Sequence, residues 1–311
     1  MNAPILVTGA TGFIGQNLCP IISQQGLPFR AAVRRAVPNM PSSIQVGEID
    51  GATDWSEALD GIDSVIHLAG RAHVLKDVST DPLAEFRRVN TDGTLNLAKQ
   101  MVENGCKRLV FVSTIGVNGD ATPIDQPFTE DSTPNPQLPY ALAKWEAEQG
   151  LEGFKDRLEI VVVRPPLVYG PNAPGNFGQL VRWIERGVPL PLGSARNQRS
   201  LIAVQNLCDF LIQCAQHPNV AGETFLVSDG EDLSTPELLE SVARALGRRV
   251  TLFPVPEIIL RLPLRLLGRE RIVDQLFGSL VVDSSKARGL LNWSPPLSVY
   301  EAIRTLKPEA T

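Results

Sequence analysis

Three glycines, Gly9, Gly12 and Gly15, follow the apolar run Ile5, Leu6 and Val7 and precede Phe13, Ile14 and Leu18, which are apolar at helical spacing. A run of that kind reads as a buried parallel strand, and the glycines fall where it turns into a helix. Gly9 supplies a backbone conformation closed to other residues, Gly12 lets the main chain approach a pyrophosphate, and Gly15 lets the helix pack closely on the strand. The helix N-terminus offers N–H groups and a partial positive charge to the phosphates. The turn, with Gly9, Thr11, Gly12, Phe13, Ile14 and Gly15, is therefore predicted to bind a dinucleotide. Its G-x-x-G-x-x-G spacing differs slightly from the G-x-G-x-x-G fingerprint, so the physical reasoning transfers but the letter pattern does not. A plain tight turn at a strand end is the alternative.

Strand-like runs recur at 29–33, 44–49, 64–68, 108–113 and 159–163, with helical patterns between most of them. Such alternation predicts an α/β chain, a Rossmann-type doubly wound parallel sheet with helices on both faces and ligands at the carboxyl ends of the strands. Residues 81–105 read as one long helix, with Pro82 in its first turn and Gly105 after its last. Beyond Pro165 the prolines Pro166, Pro171 and Pro174 interrupt the pattern, and helices are expected at 177–186 and 204–216 and a strand at 224–227. Ser234, Pro236 and Glu237 form a helix start. These changes place a boundary between a dinucleotide domain, 1–167, and a smaller C-terminal substrate-binding domain, 168–311, with some segments returning to the main sheet.

The net charge of −5 argues against a nucleic-acid surface. Cys19, Cys106, Cys208 and Cys214 lack metal-ligand spacing and read as buried thiols, so no metal is expected. With no leader pattern and no apolar run of about 20 residues, a cytoplasmic protein without an integral membrane segment is expected. Segment 257–271 interleaves apolar residues with Arg261, Arg265, Arg269 and Arg271. Pro263 and Gly268 are expected to interrupt its helix, and a domain edge or subunit contact is preferred over membrane attachment.

Tyr140 and Lys144 stand four apart, about one helical turn, at the start of a predicted helix. On one face, the ammonium is expected to favour the phenolate and lower the tyrosine toward working pH. Such a phenol can exchange a proton with a substrate oxygen. Ser113 and Thr114 end the strand at 108–112, where either hydroxyl can hydrogen-bond the same oxygen. The second strand ends in Arg34 and Arg35, with no acid for the ribose hydroxyls, and guanidinium groups suit a 2′-phosphate. NADP(H) is therefore preferred over NAD(H), the alternative being that both arginines stack on adenine or face solvent.

These residues resemble the extended short-chain dehydrogenase/reductases, the NAD-dependent epimerase/dehydratase family acting on nucleotide sugars. The likeness runs through the glycine turn, His67-Leu68-Ala69-Gly70, Asn90 with Gly93-Thr94, Thr114, Tyr140/Lys144 and Arg164-Pro165-Pro166-Leu167-Val168-Tyr169-Gly170-Pro171. It implies Thr114 rather than Ser113 as the hydroxyl residue, counted back from Gly119. It also implies that Leu68, Ala69, Gly70 and Asn90 contribute to the cofactor site, that Lys144 holds the nicotinamide ribose, and that Glu48 and Ile49 lie beside the adenine. Asn176 and Arg199, and more loosely Arg271, resemble contacts to the substrate diphosphate. A homodimer packed through 81–105 and 139–151 is the oligomer implied. Asn118 departs from the tyrosine common at that point of the family's strand-loop motif.

Segments 81–90 and 224–235 are similar to reductases that form UDP-N-acetylquinovosamine for surface polysaccharides. The resemblance thus implies reduction of the 4-keto group of a UDP-4-keto-6-deoxy-N-acetylhexosamine, with Thr114, Tyr140 and Lys144 catalytic. A UDP-hexose or UDP-N-acetylhexosamine 4-epimerase, using the same three residues twice, is the alternative. A non-catalytic NADP-binding protein is more remote, because such relatives typically lose the tyrosine or lysine.

Overall fold

The computed structural model describes residues 4–38, 40, 42–72, 81–123, 125–266 and 270–307. Its strands are β1 (Ile5–Thr8), β2 (Phe29–Val33), β3 (Ser43–Gln45), β4 (Ser64–His67), β5 (Arg108–Val112), β6 (Glu159–Arg164), β7 (Leu167–Tyr169), β8 (Leu201–Ala203) and β9 (Thr224–Leu226). Seven form one sheet in the order β3-β2-β1-β4-β5-β6-β9, and β7 pairs with β8 in a second. Every pairing in the large sheet is parallel. This is a Rossmann-like α/β fold, and the reversal of strand order beside β1 opens a crevice between β1 and β4 at their carboxyl ends.

The helices are α1 (Phe13–Gln24), α2 (Ser56–Leu59), α3 (Pro82–Phe86), α4 (Gly93–Glu103), α5 (Pro139–Leu151), α6 (Gly175–Glu185), α7 (Val204–Gln216), α8 (Thr235–Ala245), α9 (Glu257–Leu266), α10 (Glu270–Phe277), α11 (Ser285–Leu291) and α12 (Val299–Arg304). Leu18 and Ile22 of α1 and Leu207, Phe210 and Leu211 of α7 pack on one face of the large sheet. Leu97 and Met101 of α4 with Ala147 and Leu151 of α5 pack on the other. Parallel strands covered on both faces are largely apolar, and β5 is buried at all five positions. A third apolar cluster joins Tyr169, Phe177, Ile184, Leu239 and Val299 beyond the main sheet. The four cysteines are buried and unpaired. Among the described residues no helix is long and apolar enough to cross a membrane.

Several elements differ from the sequence reading. The helix expected over 81–105 is α3 and α4 joined by a π-helical segment, Arg87–Asp92. Hydrophobic period cannot reveal the extra residue that such a segment inserts per turn. β3 stops at Gln45 rather than Ile49; Gly47, at φ +75°, turns the chain away. Helix α9 runs through Pro263 without ending there, and Gly268 lies outside the described residues. Ser234 caps α8 reciprocally with Glu237, the arrangement its sequence predicts.

Candidate active site

Parallel register brings the chemistry-bearing loops side by side, since Thr8 is level with Ala32 and His67, and His67 with Phe111. After β1, Gly9 adopts φ +67°, and a Cβ there would stand 2.7 Å from the Ala69 nitrogen. A Cβ on Gly15 would meet the Gly9 oxygen at 2.4 Å, and one on Gly12 the same oxygen at 3.2 Å. No side chain caps the N-terminus of α1. A turn this stripped of side chains, facing the end of a helix, fits the pyrophosphate of a dinucleotide.

A buried polar chain ties this turn to its neighbours. The Ala69 amide donates to Thr8 Oγ1 at 3.2 Å, and Thr8 Oγ1 lies 2.7 Å from His67 Nδ1. His67 Nε2 lies 3.1 Å from Thr94 Oγ1, whose proton goes to the Asn90 carbonyl at 2.7 Å. With both ends fixed, the hydrogen bonds run in one direction and place the imidazole proton on Nε2. Burial, with Lys144 nearby, holds His67 down to about 3, so it stays neutral. The sequence reading used His67 only as part of a motif and passed over Thr8; the available signal was a polar residue inside an apolar strand.

Asn90, in the π-helical segment, accepts from the Arg71 amide at 2.8 Å and donates to the Arg71 carbonyl at 3.1 Å. A Cβ on Gly70 would lie 2.9 Å from Asn90 Oδ1 and 3.6 Å from Lys144 Nζ, so these three residues meet at one point. Thr114 caps the turn Ile115–Val117, its Oγ1 accepting from the Gly116 amide at 3.2 Å. A Cβ on Gly116 would stand 3.2 Å from Cβ of Ala141, which packs the Thr114 turn against the start of α5. The Ser113 hydroxyl is instead buried and donates to Glu148. Thr114 is the half-buried hydroxyl at the strand edge.

Tyr140 sits edge-on to Phe86, with ring centroids 6.0 Å apart. Lys144 Nζ donates to the Val112 carbonyl at 2.9 Å and lies 4.4 Å from the centroid of the Phe111 ring. Burial pulls the ammonium down to about 8, opposed by the charge of Glu148. Burial also pushes the Tyr140 phenol up to about 12. This corrects the expectation of a lowered tyrosine: loss of hydration outweighs the ammonium one turn away. The phenol is a proton donor at neutral pH, and the lysine titrates closer to neutrality than an ordinary one.

Beyond the end of β2, Arg34 Nη1 lies 3.7 Å from Glu48 Oε2, with both side chains mostly exposed. Arg35 is exposed, while Ile49 is buried against the start of α4. In the C-terminal part, Asn176 Nδ2 donates to Gln275 Oε1 at 2.9 Å, and Arg199 Nη1 donates to the carbonyls of Gln275 and Gly278, each at 3.0 Å. Both expected diphosphate contacts thus converge on the end of α10. The side chain of Arg271, in the same helix, lies outside the described residues. Asn197 also donates to Gly278 O, at 3.0 Å, and helps line a cavity of about 340 Å³ with Ser194, Arg196, Glu257 and Phe277.

Residues 5–228 match the NAD dependent epimerase/dehydratase family. A UDP-glucose 4-epimerase from Vibrio cholerae is 41% identical over 309 residues, covering 98% of this chain and 94% of that protein. The UDP-N-acetylglucosamine 4-epimerase of Bacillus cereus superposes with a TM-score of 0.80 at 23% identity over 98% of each chain, a likeness of fold. The UDP-glucose 4-epimerase of Thermus thermophilus, solved in complex with NAD, gives 0.77 at 25% identity over 97% of each chain.

Proposed function

The chain belongs to the NAD dependent epimerase/dehydratase family, and on that premise we propose that it inverts carbon four of a UDP-linked hexose or N-acetylhexosamine. The reading rests on the 41% identity to a UDP-glucose 4-epimerase across 98% of this chain. Bound NAD supplies a hydride acceptor and afterwards a donor. Tyr140 takes the proton of the C4 hydroxyl as phenolate and returns it as phenol, Thr114 orients that oxygen, and Lys144 favours the phenolate. Burial holds the phenol up at about 12, and the Lys144 ammonium lowers the cost of the phenolate when it forms. The glycine turn, Leu68 to Gly70 and Asn90 hold the dinucleotide, with Lys144 on its nicotinamide ribose and Glu48 and Ile49 beside its adenine. Residues 168–311 form the sugar-nucleotide side, where Arg199 and Asn176 take the diphosphate and the cavity beside Asn197 takes the nucleoside.

A second reading, net reduction of a UDP-4-keto-6-deoxy-N-acetylhexosamine for surface polysaccharide, is favoured by one observation: β2 is followed by Arg34 and Arg35, not by an acid. It stands second because Glu48 sets a carboxylate 3.7 Å from Arg34, and a carboxylate there would compete with a 2′-phosphate for that guanidinium. The purified protein is incubated with UDP-glucose and with UDP-N-acetylglucosamine, and separately with the keto-sugar plus NADPH or NADH. Formation of the galacto epimer without net cofactor consumption supports the epimerase. One-for-one oxidation of reduced cofactor, with no epimer formed, replaces it with the reductase. Light scattering of the same sample tests the expected homodimer.

A further inference from the structure

One buried carboxylate joins three pieces of the site. Glu148, one turn after Lys144 on α5, is 5% exposed. Its Oε1 accepts the Ser113 hydroxyl. Arg164, the last residue of β6, donates to it through Nε at 3.1 and 3.2 Å and through Nη2 at 2.5 Å. The remaining arm of Arg164, Nη1, donates to Asn118 Oδ1 at 3.0 Å, and Asn118 Nδ2 donates to the Thr129 carbonyl at 3.2 Å. Ser113, Asn118 and Arg164 are all buried. The network therefore grips both ends of segment 113–118, whose second residue is Thr114, and fastens them to the helix that carries Tyr140 and Lys144. It also gives Asn118 a role: its amide oxygen accepts from the guanidinium while its amide nitrogen donates to the Thr129 carbonyl.

Burying two charges is a poor way to gain stability, since hydrocarbon of the same volume serves as well or better. Buried ionic networks are better suited to fixing one arrangement, and this one is placed where arrangement decides a rate. We propose, resting on the reading of Thr114, Tyr140 and Lys144 given above, that Glu148 is a positioning residue: it locks the Thr114 turn against α5, so hydroxyl, phenol and ammonium keep one geometry through both halves of the reaction. Its charge also favours the protonated form of Lys144. The other groups around that ammonium are neutral His67 from β4, the Phe111 ring from β5, Tyr140 from α5 itself, and Arg164 from β6 on the far side of Glu148.

The test uses the full chain with NAD, measuring kcat, KM for the sugar nucleotide and the pH profile of kcat. Ser113→Ala removes one hydrogen bond and leaves the ion pair whole, so it stays folded with a melting temperature lower by a few degrees and NAD affinity near wild type. Its kcat is expected to fall at least roughly tenfold with KM changed less than about threefold, and Ser113→Thr to restore it. Glu148→Gln is expected to lose as much or more and to move the alkaline limb of the profile to lower pH. The double variant should be no worse than Glu148→Gln alone, since both act through one network. Folded Ser113→Ala at wild-type kcat, or losses that multiply in the double variant, overturns the proposal. Should Glu148→Gln not fold, the Ser113 pair alone decides. Tyr140→Phe is run in parallel: if it retains turnover, the reading of the site falls and the proposal with it, whereas an inactive Tyr140→Phe beside a fully active Ser113→Ala removes only the role of Glu148.

Discussion

Lys144 Nζ donates to the Val112 carbonyl oxygen at 2.9 Å, tying the middle of helix α5 to the last residue of strand β5. A protonated amine is thereby kept in a dry place that penalises its charge. The folded pKa, about 8, lies below the ordinary 10.5, so the folded state binds fewer protons between those values and stability rises with pH there. Below about pH 8 the penalty is complete.

Lys144→Met should therefore raise stability at pH 7, by on the order of 1 to 3 kcal/mol after the lost hydrogen bond is counted. Glu148 is not orphaned, because Arg164 remains on it. Thermal melts from pH 7 to 9.5 check this: the advantage of the variant should shrink as pH climbs past 8, while epimerase or reductase turnover is lost throughout. A variant less stable at pH 7 than at pH 9.5, relative to wild type, contradicts the assignment.

Gly12→Ala and Gly15→Ala should fail differently. A Cβ on Gly15 meets three main-chain atoms of Gly9 and Ala10, at 2.4, 2.6 and 2.7 Å, and backbone cannot step aside. The cost is about 3 kcal/mol, read as a melting temperature lower by roughly 5 °C or more. Gly12 has φ −78°, open to any residue, and its Cβ would meet one oxygen at 3.2 Å. Gly12→Ala should keep its melting temperature within a few degrees and lose roughly tenfold or more in NAD affinity by calorimetry.

How much of this was legible in the residues varies with the physics involved. The alternation of apolar runs and helical patterns foretells the sheet, and spacing alone puts Tyr140 and Lys144 on one face of α5. Titration is another matter: it depends on how much water surrounds the phenol, and no spacing reports that, so the direction for Tyr140 came out reversed. Glu148, Arg164 and Asn118 are distant in sequence and ordinary in type, and the fold brings them together only by setting the end of β6 beside the end of β5 and laying α5 against both. Asn176 and Arg199 were drawn from resemblance, and the fold joins them through Gln275, which no motif marks.

Glu48 faces Arg34 across 3.7 Å beyond the end of β2, where the proposed reading puts the adenine. An exposed pair of this kind contributes little to stability, so Glu48→Gln should leave the melting temperature unchanged within about 2 °C. Its effect is on cofactor choice. Without the carboxylate Arg34 is released for a 2′-phosphate, and NADP affinity should rise relative to NAD by roughly fivefold or more. Arg34→Ala should lower NADP affinity and spare NAD. Equal changes for the two cofactors in both variants would mean that neither residue reads the 2′ position.

Tyr169 joins β7 to the segment after β9. Its fully buried hydroxyl donates to Asp229 Oδ2 at 2.7 Å and lies 3.1 Å from the Val299 carbonyl oxygen. Asp229 also accepts from the Ala203 amide and from Asn206 Nδ2, yet burial still leaves its carboxyl raised. A raised carboxylate is a penalty that is absent below its unfolded pKa, grows as pH rises toward the folded one and is complete above it. Tyr169→Phe removes a donor and enlarges that penalty, so the variant should lose about 1 to 3 kcal/mol at pH 7. Because a protonated Asp229 has no charge to stabilise, the loss should be smaller at an acidic pH than at pH 7. Denaturant melts at the two pH values measure it, and a loss independent of pH would reduce the contact to packing.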